Sequence, residues 1–477
     1  MKTTSTTPSV SYSFVMRLSY PNRIGMFARL TQTIGRLGGD LGAVDIVNPD
    51  AKRMTRDITV RARDHEHMEA IVQAVRKLKD VTVANVSDQV FLLHLGGKIS
   101  IQNKVPLTTR DTLSMAYTPG VARVCEAIAE QHTKAWQLTI KGNSVAVVSD
   151  GSAVLGLGNI GPEAALPVME GKAMLFKEFA GIDAYPICLR TQAPEEIINT
   201  VANLSVGFGG INLEDISAPR CFEIERRLQE RLDIPVFHDD QHGTAVVVLA
   251  ALLNASRLAG QSLAKWRVVI LGAGAAGTAI AEMLGHAGVK DIIVCDRHGI
   301  LNARTRTDLN EAKKQLAAAT NPRGLSGNVE TALKRANVLV GVSGPGVIAA
   351  KSLRLMATKP IVFALANPIP EIMPEEAAAA KAWIVATGRS DYPNQINNVL
   401  AFPGIFRGAL NVRARRVNEA MKLAAAHAIA DCIAPRQLSP EYIVPSVFNR
   451  EVVKRVAAAV SETAIKTRVA RKGLPRK

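Results

Sequence analysis

The 477-residue sequence predicts an α/β protein built from three blocks, with bounds near 12–92, 98–235 and 236–477. Three observations support this prediction. The first block alternates strands and helices in the order βαββαβ, which is typical of a ferredoxin-like sandwich. In the later blocks, short apolar strands alternate with helical patterns, which favours parallel sheets. The length also suits several domains, at about 100–200 residues each.

In the first block, the strand "SFVMRLSY" leads through the turn "PNRIGM" into a helix. That helix carries apolar residues at helical spacing and ends at a glycine pair. Two strands, a second helix and a last strand follow. The predicted strands are 13–20, 41–47, 55–62 and 81–91, and the predicted helices are 27–37 and 65–78.

The second block predicts the strands 144–151 and 184–189 on either side of a helical stretch at 162–181. The third block predicts a second doubly wound α/β domain, which opens with a helix at 243–260 and becomes largely helical from about 411. Its predicted strands are 266–272, 291–296, 337–343, 360–366 and 383–388.

Composition excludes several classes of protein. No run of 18 uninterrupted apolar residues occurs, so we expect no membrane span. The N-terminus lacks the apolar run of a secretory signal, and the five cysteines include no CxxC pair, so we expect a cytoplasmic protein. The net charge of +16 would suit nucleic acid, but aromatic residues do not interleave its densest basic clusters, 411–416 and 466–477. We expect no nucleic-acid partner and a surface that attracts anionic ligands.

A dinucleotide site is indicated by "LGAGAAGTA" (271–279), which follows a strand and opens a helix. Gly272 permits a tight turn, Gly274 lets the backbone approach a pyrophosphate, and Gly277 lets the helix pack against the strand. Ala275 and Ala276 begin that helix, where free N–H groups bind phosphate. The further cofactor candidates at strand ends are Asp296, Arg297, Ser343, Gly344 and Asn367.

The residue at the end of the second strand bears on cofactor choice. Asp296, nineteen residues after Gly277, would accept hydrogen bonds from the adenosine ribose and repel a 2′-phosphate, which favours NAD. Arg297 beside it could instead pair with that phosphate. We therefore predict NAD as the cofactor, with NADP as the alternative.

Two pairs of acids follow successive strand-like runs. Glu214 and Asp215 lie in "INLEDISAP", and Asp239 and Asp240 lie in "VFHDDQHGTA". Because ligands of α/β sheets bind at the carboxyl ends of strands, these pairs can converge on one cation. Oxygen ligands suit Mg²⁺ or Mn²⁺. The alternative interpretation is helix-capping acids and surface pairs.

The same stretch carries His238 and His242, which are four residues apart. That spacing on a helix can hold zinc. The stretch is, however, predicted to lie at a strand end, with the helix starting at "GTAVVV", so we expect a structural role for His242.

Two further residues could move protons. Tyr117 in "AYTPGVA" precedes a turn that opens a helix, and its phenol could donate a proton. Lys172 lies on a mostly apolar helix, where burial or nearby charge can shift the pKa of a lysine so that it acts as a base. The alternatives are a packed tyrosine with a solvated hydroxyl and a surface lysine.

The first block resembles an ACT domain, a small ligand-sensing module, in the residues "PNRIGMFARLTQTIGRLGGDLGAVDI" (21–46). The resemblance implies a small-molecule site where the first strand meets the first helix. The residues that match this turn are Asn22, Arg23, Ile24 and Gly25. A domain that only dimerises is the alternative.

From about 95 to 475 the chain resembles the malic enzyme family, of the shorter bacterial type. The motifs that carry the resemblance are "AYTPGVA", "SDGSAVLGLGNIGPEAALPVMEGKAMLFKEFAGIDAYPICL", "NLEDISAP", "FHDDQHGTA", "LGAGAAG", "ALANPIPEI" and "NNVLAFPGIFRGAL". The resemblance implies NAD(P)-dependent oxidative decarboxylation of L-malate to pyruvate with a divalent metal. It also implies a homodimer or higher homo-oligomer.

The resemblance assigns roles by matching positions. Tyr117 matches the general acid and Lys172 the general base. The matches to the metal ligands are Glu214, Asp215 and Asp240, and Asp239 matches an acid that orients the lysine. The matches to asparagines of the malate and nicotinamide pocket are Asn367 and Asn398, with Asn397 beside them.

One position departs from the family. Larger members have an arginine for a malate carboxylate where this chain has Ala153. Arg123, Lys172 or a residue of a second subunit could replace it.

Two other functions remain open from the sequence. The malolactic reaction would yield lactate and keep NAD bound. A regulatory protein that binds nucleic acid would lack the metal acids or the Tyr117 and Lys172 pair, which are all present.

Overall fold

The computed structural model describes residues 7–473, so the last four residues of the predicted third block and of the basic cluster 466–477 lie outside the described residues. The described residues form two compact units that divide between Ile101 and Gln102. The predicted bounds of the three blocks stay predictions.

The first unit is a four-stranded antiparallel sheet, in the order β2-β3-β1-β4, with two helices in the βαββαβ order that the sequence predicts. Apolar residues of β1 and α1, such as Phe14 and Leu30, form its core. The elements are β1 (Ser9–Pro21), α1 (Met26–Arg36), β2 (Asp40–Pro49), β3 (Arg53–Ala62), α2 (His65–Arg76), β4 (Thr82–Asp88) and α3 (Gln89–His94).

Helix α3 was not predicted from the sequence, which gave a strand up to 91. Asp88 ends that strand by accepting hydrogen bonds from the backbone N–H groups of Val90 and Phe91, which caps a helix instead. Ser13 on β1 donates to the side chain of Gln89 at 2.6 Å, so α3 packs against the sheet.

The second unit contains two sheets. A four-stranded parallel sheet has the order β6-β5-β7-β8, and a six-stranded sheet has the order β11-β10-β9-β12-β13-β14, parallel except at β11. The second is a doubly wound Rossmann-type order, which confirms the predicted fold class. The strands are β5 (Ser144–Ser149), β6 (Asp183–Cys188), β7 (Gly210–Leu213), β8 (Val236–His238), β9 (Arg267–Leu271), β10 (Asp291–Asp296), β11 (Gly299–Ile300), β12 (Val338–Gly341), β13 (Ile361–Ala364) and β14 (Ile384–Thr387).

Fifteen α-helices of the described residues cover and connect these sheets. They are α4 (Arg110–Ala116), α5 (Val121–Glu130), α6 (Ala135–Leu138), α7 (Pro162–Ala180), α8 (Pro194–Leu204), α9 (Arg220–Arg231), α10 (Asp239–Ala259), α11 (Ala275–His286), α12 (Glu311–Ala319), α13 (Val329–Leu333), α14 (Ala350–Leu353), α15 (Pro374–Ala379), α16 (Phe402–Asn411), α17 (Glu419–Ala430) and α18 (Arg450–Lys466).

Helix α10 begins at Asp239, four residues before the predicted start at Gly243. The carboxylates of Asp239 and Asp240 in its first turn lie where the helix dipole favours negative charge, which explains the earlier start. By length and composition α10 could cross a membrane, but 61% of its apolar window is buried inside the unit, as in a core helix.

Candidate active site

Lys172 lies at the centre of the candidate site, on α7. Its side chain is 7% exposed, and its Nζ donates to Asp239 Oδ2 at 2.5 Å and contacts Glu214 Oε1 at 2.7 Å. Phe402 covers the ammonium group, with its ring centroid 4.3 Å from Nζ. The structure thus brings Lys172 to both acid pairs and places it where water is largely excluded.

Three carboxylates meet beside this lysine. Glu214 and Asp215 follow β7, Asp240 lies in the first turn of α10, and one oxygen of each lies within 4.8 Å of the others. Asp215 Oδ2 is buried and accepts no hydrogen bond from the described residues. An oxygen cluster of this kind with a free buried ligand atom fits Mg²⁺ or Mn²⁺.

Burial and mutual repulsion set the charges of this cluster. Burial, together with the neighbouring charge of Asp240, raises the pKa of Glu214 and Asp215. Burial alone would lower the pKa of Lys172, but the charges of Asp239 and Glu214 outweigh it and hold that pKa above its ordinary value. The carboxylates therefore favour a cation here, and their charge favours the protonated form of Lys172.

The backbone conformation at Asp215 allows the three carboxylates to converge. Asp215 has φ 55, a left-handed conformation that aspartate tolerates better than most residues. Its N–H donates to Asp240 Oδ2 at 2.7 Å, and its carbonyl accepts from the N–H of Ala153 at 3.0 Å. The loop after β7 is thereby fixed both to α10 and to the loop after β5.

Gly243 explains how Asp239 reaches the lysine. A Cβ at position 243 would lie 1.9 Å from Asp239 Oδ1 and 3.1 Å from Asn398 Cβ. Asn398 is therefore next to the site. Asn397 has a different place, because its side chain accepts from the backbone N–H of Val399 at 3.0 Å and caps a short helix.

The two histidines of "VFHDDQHGTA" do not form a zinc pair. His242 Nε2 donates to the buried Glu225 at 2.9 Å, and its Nδ1 accepts from Lys422 at 3.1 Å. His238 is fully buried, and burial lowers its pKa to about 4, so it is neutral. Glu225 also accepts from the His238 backbone N–H at 2.9 Å. Sequence reasoning missed this glutamate, which holds the turn that carries both aspartates.

The glycine turn after β9 matches its predicted geometry. Gly272 has φ 125, and a Cβ there would lie 2.4 Å from the carbonyl oxygen of Val342. A Cβ on Gly277 would lie 1.8 Å from the Gly272 carbonyl oxygen, so α11 can pack close only with glycine. Nothing lies within 4 Å of a Cβ on Gly274, which leaves room for a ligand.

A cavity of about 840 Å³ opens beside this turn, within the usual range of roughly 300–1,000 Å³ for ligand sites. The predicted cofactor residues that line it are Gly272, Gly274, Asp296, Arg297 and Ser343. Those that do not line it are Ala275, Ala276, Gly277, Gly344 and Asn367. Ala218 and Pro219, which follow Glu214 and Asp215 in the same loop after β7, also line it.

Two cations that the sequence analysis did not identify contact Asp296, which lines this cavity. Asp296 accepts from Arg306 at 3.1 Å and from Lys313 Nζ at 2.6 Å. Burial would raise the pKa of Asp296, but these partners hold it below its ordinary value. They come from 10 and 17 residues later in the chain, and only the fold brings them to Asp296.

Asn367 lies in a close-packed place between three loops. A Cβ on Gly388 would lie 2.6 Å from Asn367 Nδ2, and a Cβ on Gly156 would lie 2.5 Å from the Asn367 carbonyl oxygen. The "LGLG" loop therefore contacts the "ANP" loop directly.

Tyr117 is not part of the lysine cluster within one chain. It is 65% exposed, and its hydroxyl has no hydrogen bond to any residue that the structure describes. Arg123, a candidate for the missing cation, is exposed on α5. Ala153 contributes its backbone N–H to the loop of Asp215, as above.

The turn at residues 22–25 of the first unit is exposed. Ile24 is fully exposed, and Gly25 has φ 87 and is the N-cap of α1. Asn22 donates from its side chain to the Asp50 carbonyl at 3.2 Å, which ties this turn to the β2–β3 connection. Arg23 donates its backbone N–H to the Pro21 carbonyl.

Comparison with known proteins matches three family profiles to this chain. They are the ACT domain at 8–85, the malic enzyme N-terminal domain at 96–195 and the malic enzyme NAD-binding domain at 241–465. The chain is 56% identical over 460 residues to the NAD-dependent malic enzyme of Geobacillus stearothermophilus, covering 96% of each. It is 53% identical over 375 residues to the bifunctional malic/malolactic enzyme of Bacillus subtilis (strain 168), covering 79% of this chain and 92% of that protein.

Among solved structures, the NAD-dependent malic enzyme of Thermotoga maritima aligns with 52% identity and a TM-score of 0.76. The alignment covers 78% of this chain and 99% of that one. With its additional N-terminal ACT domain, the chain belongs to the malic enzyme family.

Proposed function

We propose that the protein catalyses the oxidative decarboxylation of L-malate to pyruvate and CO₂ with reduction of NAD⁺, with Mg²⁺ or Mn²⁺, in the cytoplasm. The observation that carries this proposal is the buried contact of Lys172 with Asp239 and Glu214, next to three converging carboxylates. A base beside a cation site, in a chain that also has a dinucleotide-binding turn, suits a 2-hydroxy acid that is first oxidised and then decarboxylated.

The proposed catalytic residues act one after another. Lys172 would pass its proton to Asp239 and then take the proton of the malate C2 hydroxyl, and bound NAD⁺ would supply the acceptor for the C2 hydride. Glu214, Asp215 and Asp240 would hold a divalent ion, which would supply electrostatic stabilisation of the negative charge that develops on decarboxylation. Asn367 and Asn398 donate neutral hydrogen bonds to the substrate carboxylates. Tyr117 finally donates a proton to C3, which yields pyruvate.

The test is a direct assay of the full chain with L-malate, Mn²⁺ and NAD⁺. We expect NADH, pyruvate and CO₂ in equal amounts. Absence of reduced cofactor with both NAD⁺ and NADP⁺ would contradict the proposal.

The malolactic reaction is the second candidate, since one relative is named a bifunctional malic/malolactic enzyme. Both reactions begin at the same C2 hydroxyl, and they differ in whether NADH leaves or returns its hydride to pyruvate. Lactate without net NADH would identify the malolactic reaction, and pyruvate with equal NADH would exclude it.

We propose that NAD⁺ is preferred over NADP⁺, because a 2′-phosphate would meet the carboxylate of Asp296. Arg306 and Lys313 are already bound to that carboxylate. Replacing Asp296→Asn should free both cations for a 2′-phosphate and raise the ratio of kcat/KM for NADP⁺ over NAD⁺ by at least about tenfold, since even one charge-assisted bond contributes roughly 1.5–3 kcal/mol.

Initial rates with both cofactors measure this ratio. Asp308→Asn is the matched control, because Asp308 pairs with the same Arg306 at 50% exposure and does not line the cavity. An Asp296→Asn variant with an unchanged ratio would refute the proposed basis of cofactor choice.

We also propose that the protein is a homo-oligomer in which a second copy of the chain completes the active site. No residue between 102 and 143 is buried, although this segment includes three helices and several large apolar residues. The strongly exposed ones are Val105, Leu107, Met115 and Tyr117. Because a segment of this length needs an apolar partner to be ordered, a second copy is the occupant that would also bring Tyr117 to a Lys172.

Mixing two inactive variants tests this arrangement. We expect Tyr117→Phe and Lys172→Met each to be inactive alone, and subunit exchange between them to restore up to about a quarter of the wild-type rate in a dimer with shared sites. No recovery after verified exchange, by native mass spectrometry, would mean that both residues act within one chain.

We propose that the ACT domain makes the enzyme respond to a small molecule that binds at the turn 22–25. Deleting residues 1–92 should abolish that response and spare the basal rate. In the full chain, Gly25→Val should weaken the response, because φ 87 strains a β-branched residue. Rates with a panel of amino acids measure the effect, and an unchanged response in the truncated protein would contradict the proposal.

A further inference from the structure

We propose that Glu371 is a positioning residue of the cofactor cleft, whose carboxylate holds the loops after β12 and β13 in the arrangement that binds the nicotinamide cofactor. The inference rests on the proposed use of NAD⁺ and adds a residue that the motif "ALANPIPEI" contains but sequence reasoning did not assign. The β12 loop is defined here as residues 342–348 and the β13 loop as residues 365–372.

The carboxylate of Glu371 joins the two loops. The residue is 1% exposed. Its Oε1 accepts the backbone N–H of Ser343 at 2.7 Å, and its Oε2 accepts the backbone N–H of Ala366 at 3.0 Å. Each oxygen therefore serves one loop. Hydrogen bonds to an ionised acceptor are shorter and stronger than neutral ones, so both loops are fixed relative to the same rigid group.

The end of β12 is built around this carboxylate. A Cβ on Gly341 would lie 2.6 Å from Glu371 Cδ and 2.9 Å from Oε2. A Cβ at position 341 would therefore displace the Glu371 carboxylate. The backbone adds further links, from Gly346 N–H to the Pro370 carbonyl at 3.0 Å and from Ile348 N–H to the Glu371 carbonyl at 3.1 Å. The loops would thus remain associated without the carboxylate, which instead sets the positions of Ser343 and Ala366.

Ser343 and Ala366 connect Glu371 to the cofactor cleft. Ser343 and Val347 line the cleft beside Gly272, and the Val342 carbonyl lies against Gly272. Asn367 follows Ala366 directly. Glu371 does not line the cleft, so its effect on the cofactor passes through the residues that it holds.

The charge of Glu371 is balanced by N–H groups. Among the described residues, no lysine or arginine contacts its carboxylate, and its hydrogen bonds come from Ser343 and Ala366. Burial raises the pKa of Glu371 above its ordinary value, and these N–H groups oppose the shift only in part. A glutamine of the same size would turn an NH₂ group towards one of the two N–H donors, and one loop would lose its partner.

The experiment measures NADH binding to the full-length Glu371→Gln variant by fluorescence titration. We expect the Kd for NADH to rise about tenfold, the factor expected when one buried N–H loses its partner. KM for NAD⁺ should rise with it. The affinity for Mn²⁺, measured by electron paramagnetic resonance, should change by less than about twofold, since the carboxylate cluster is untouched. Glu371→Asp, which is one methylene shorter, should give an intermediate Kd.

Glu375→Gln is the matched control. Glu375 lies four residues later, is exposed and accepts from the Tyr392 hydroxyl at 2.9 Å, so its Kd for NADH should not change. If Glu371→Gln lowers Tm but leaves the Kd and KM unchanged, or weakens NADH and Mn²⁺ equally, the inference is wrong.

If Glu371→Gln does not fold, Gly341→Ala presses on the same carboxylate from β12 and should weaken NADH binding in the same way. A folded Gly341→Ala with unchanged NADH affinity would overturn the inference. The NADH titration needs no turnover, so wild-type protein that binds NADH but does not convert malate would contradict the proposed function and leave this inference standing.

Discussion

Replacing Lys172→Met should lower kcat for malate oxidation by about 10²–10⁴-fold, the usual contribution of a positioned acid or base. Methionine keeps an unbranched apolar stem under Phe402 and removes only the group that meets Asp239 and Glu214. Steady-state rates at saturating malate, Mn²⁺ and NAD⁺ measure the change. NADH binding, measured by fluorescence titration, should be retained because Lys172 does not line the cofactor cavity.

Lys177→Met is the matched control for this prediction. Lys177 lies on the same helix, pairs with Asp183 at 2.7 Å and is 64% exposed. Surface pairs of this kind contribute little, so the control should keep nearly the full rate. A Lys172→Met enzyme within tenfold of wild type would show that another group is the base.

Replacing Asp240→Asn should weaken Mn²⁺ binding by more than about 100-fold, because the loss of a direct ligand exceeds the 10–100-fold cost of losing an outer partner. The asparagine can still accept the N–H of Asp215 through its oxygen, so the loop after β7 should keep its shape. Titration with Mn²⁺ by electron paramagnetic resonance measures the affinity.

The His242→Asn variant distinguishes residues that bind the ion from residues that only hold the turn in place. His242 donates to Glu225 and lies outside the group of converging carboxylates, so this variant should retain Mn²⁺ binding. Loss of Mn²⁺ binding in His242→Asn, together with binding in Asp240→Asn, would reverse the assignment of the ion to the carboxylates.

Local patterns were enough to predict most of the architecture. The apolar runs of β9, β10, β12, β13 and β14 are buried strands that stand out in sequence, and the βαββαβ order identified the first unit. The predictions were wrong at the ends of some helices and strands, because a single capping side chain determines the residue at which such an element begins or ends. Asp88 starts α3 where a strand was expected, and Asp239 starts α10 before Gly243.

The candidate site was predictable where chemistry follows a strand end. Glu214, Asp215, Asp239 and Asp240 could be grouped on that basis, and the structure brings them to Lys172. The supporting residues were not predictable.

Glu225 reaches His242 across 17 residues, and Glu371 reaches Ser343 across 28. Such contacts leave no periodic signal, because they depend on which loops the fold places together. Tyr117 is 65% exposed in the single chain, and the proposed contact with Lys172 of a second copy leaves no signal in the sequence.

Helix α10 has its first turn in the candidate site and most of its remaining length in the core, where Val246, Val247 and Leu249 are buried. An ion held by Asp240, as proposed, would therefore bind only the folded form of the core that this helix builds. Such binding stabilises a protein by an amount that grows with the logarithm of the ion concentration. The storage stability and thermal stability of the purified enzyme should accordingly increase with added Mn²⁺ or Mg²⁺. A chelator in the storage buffer should decrease both.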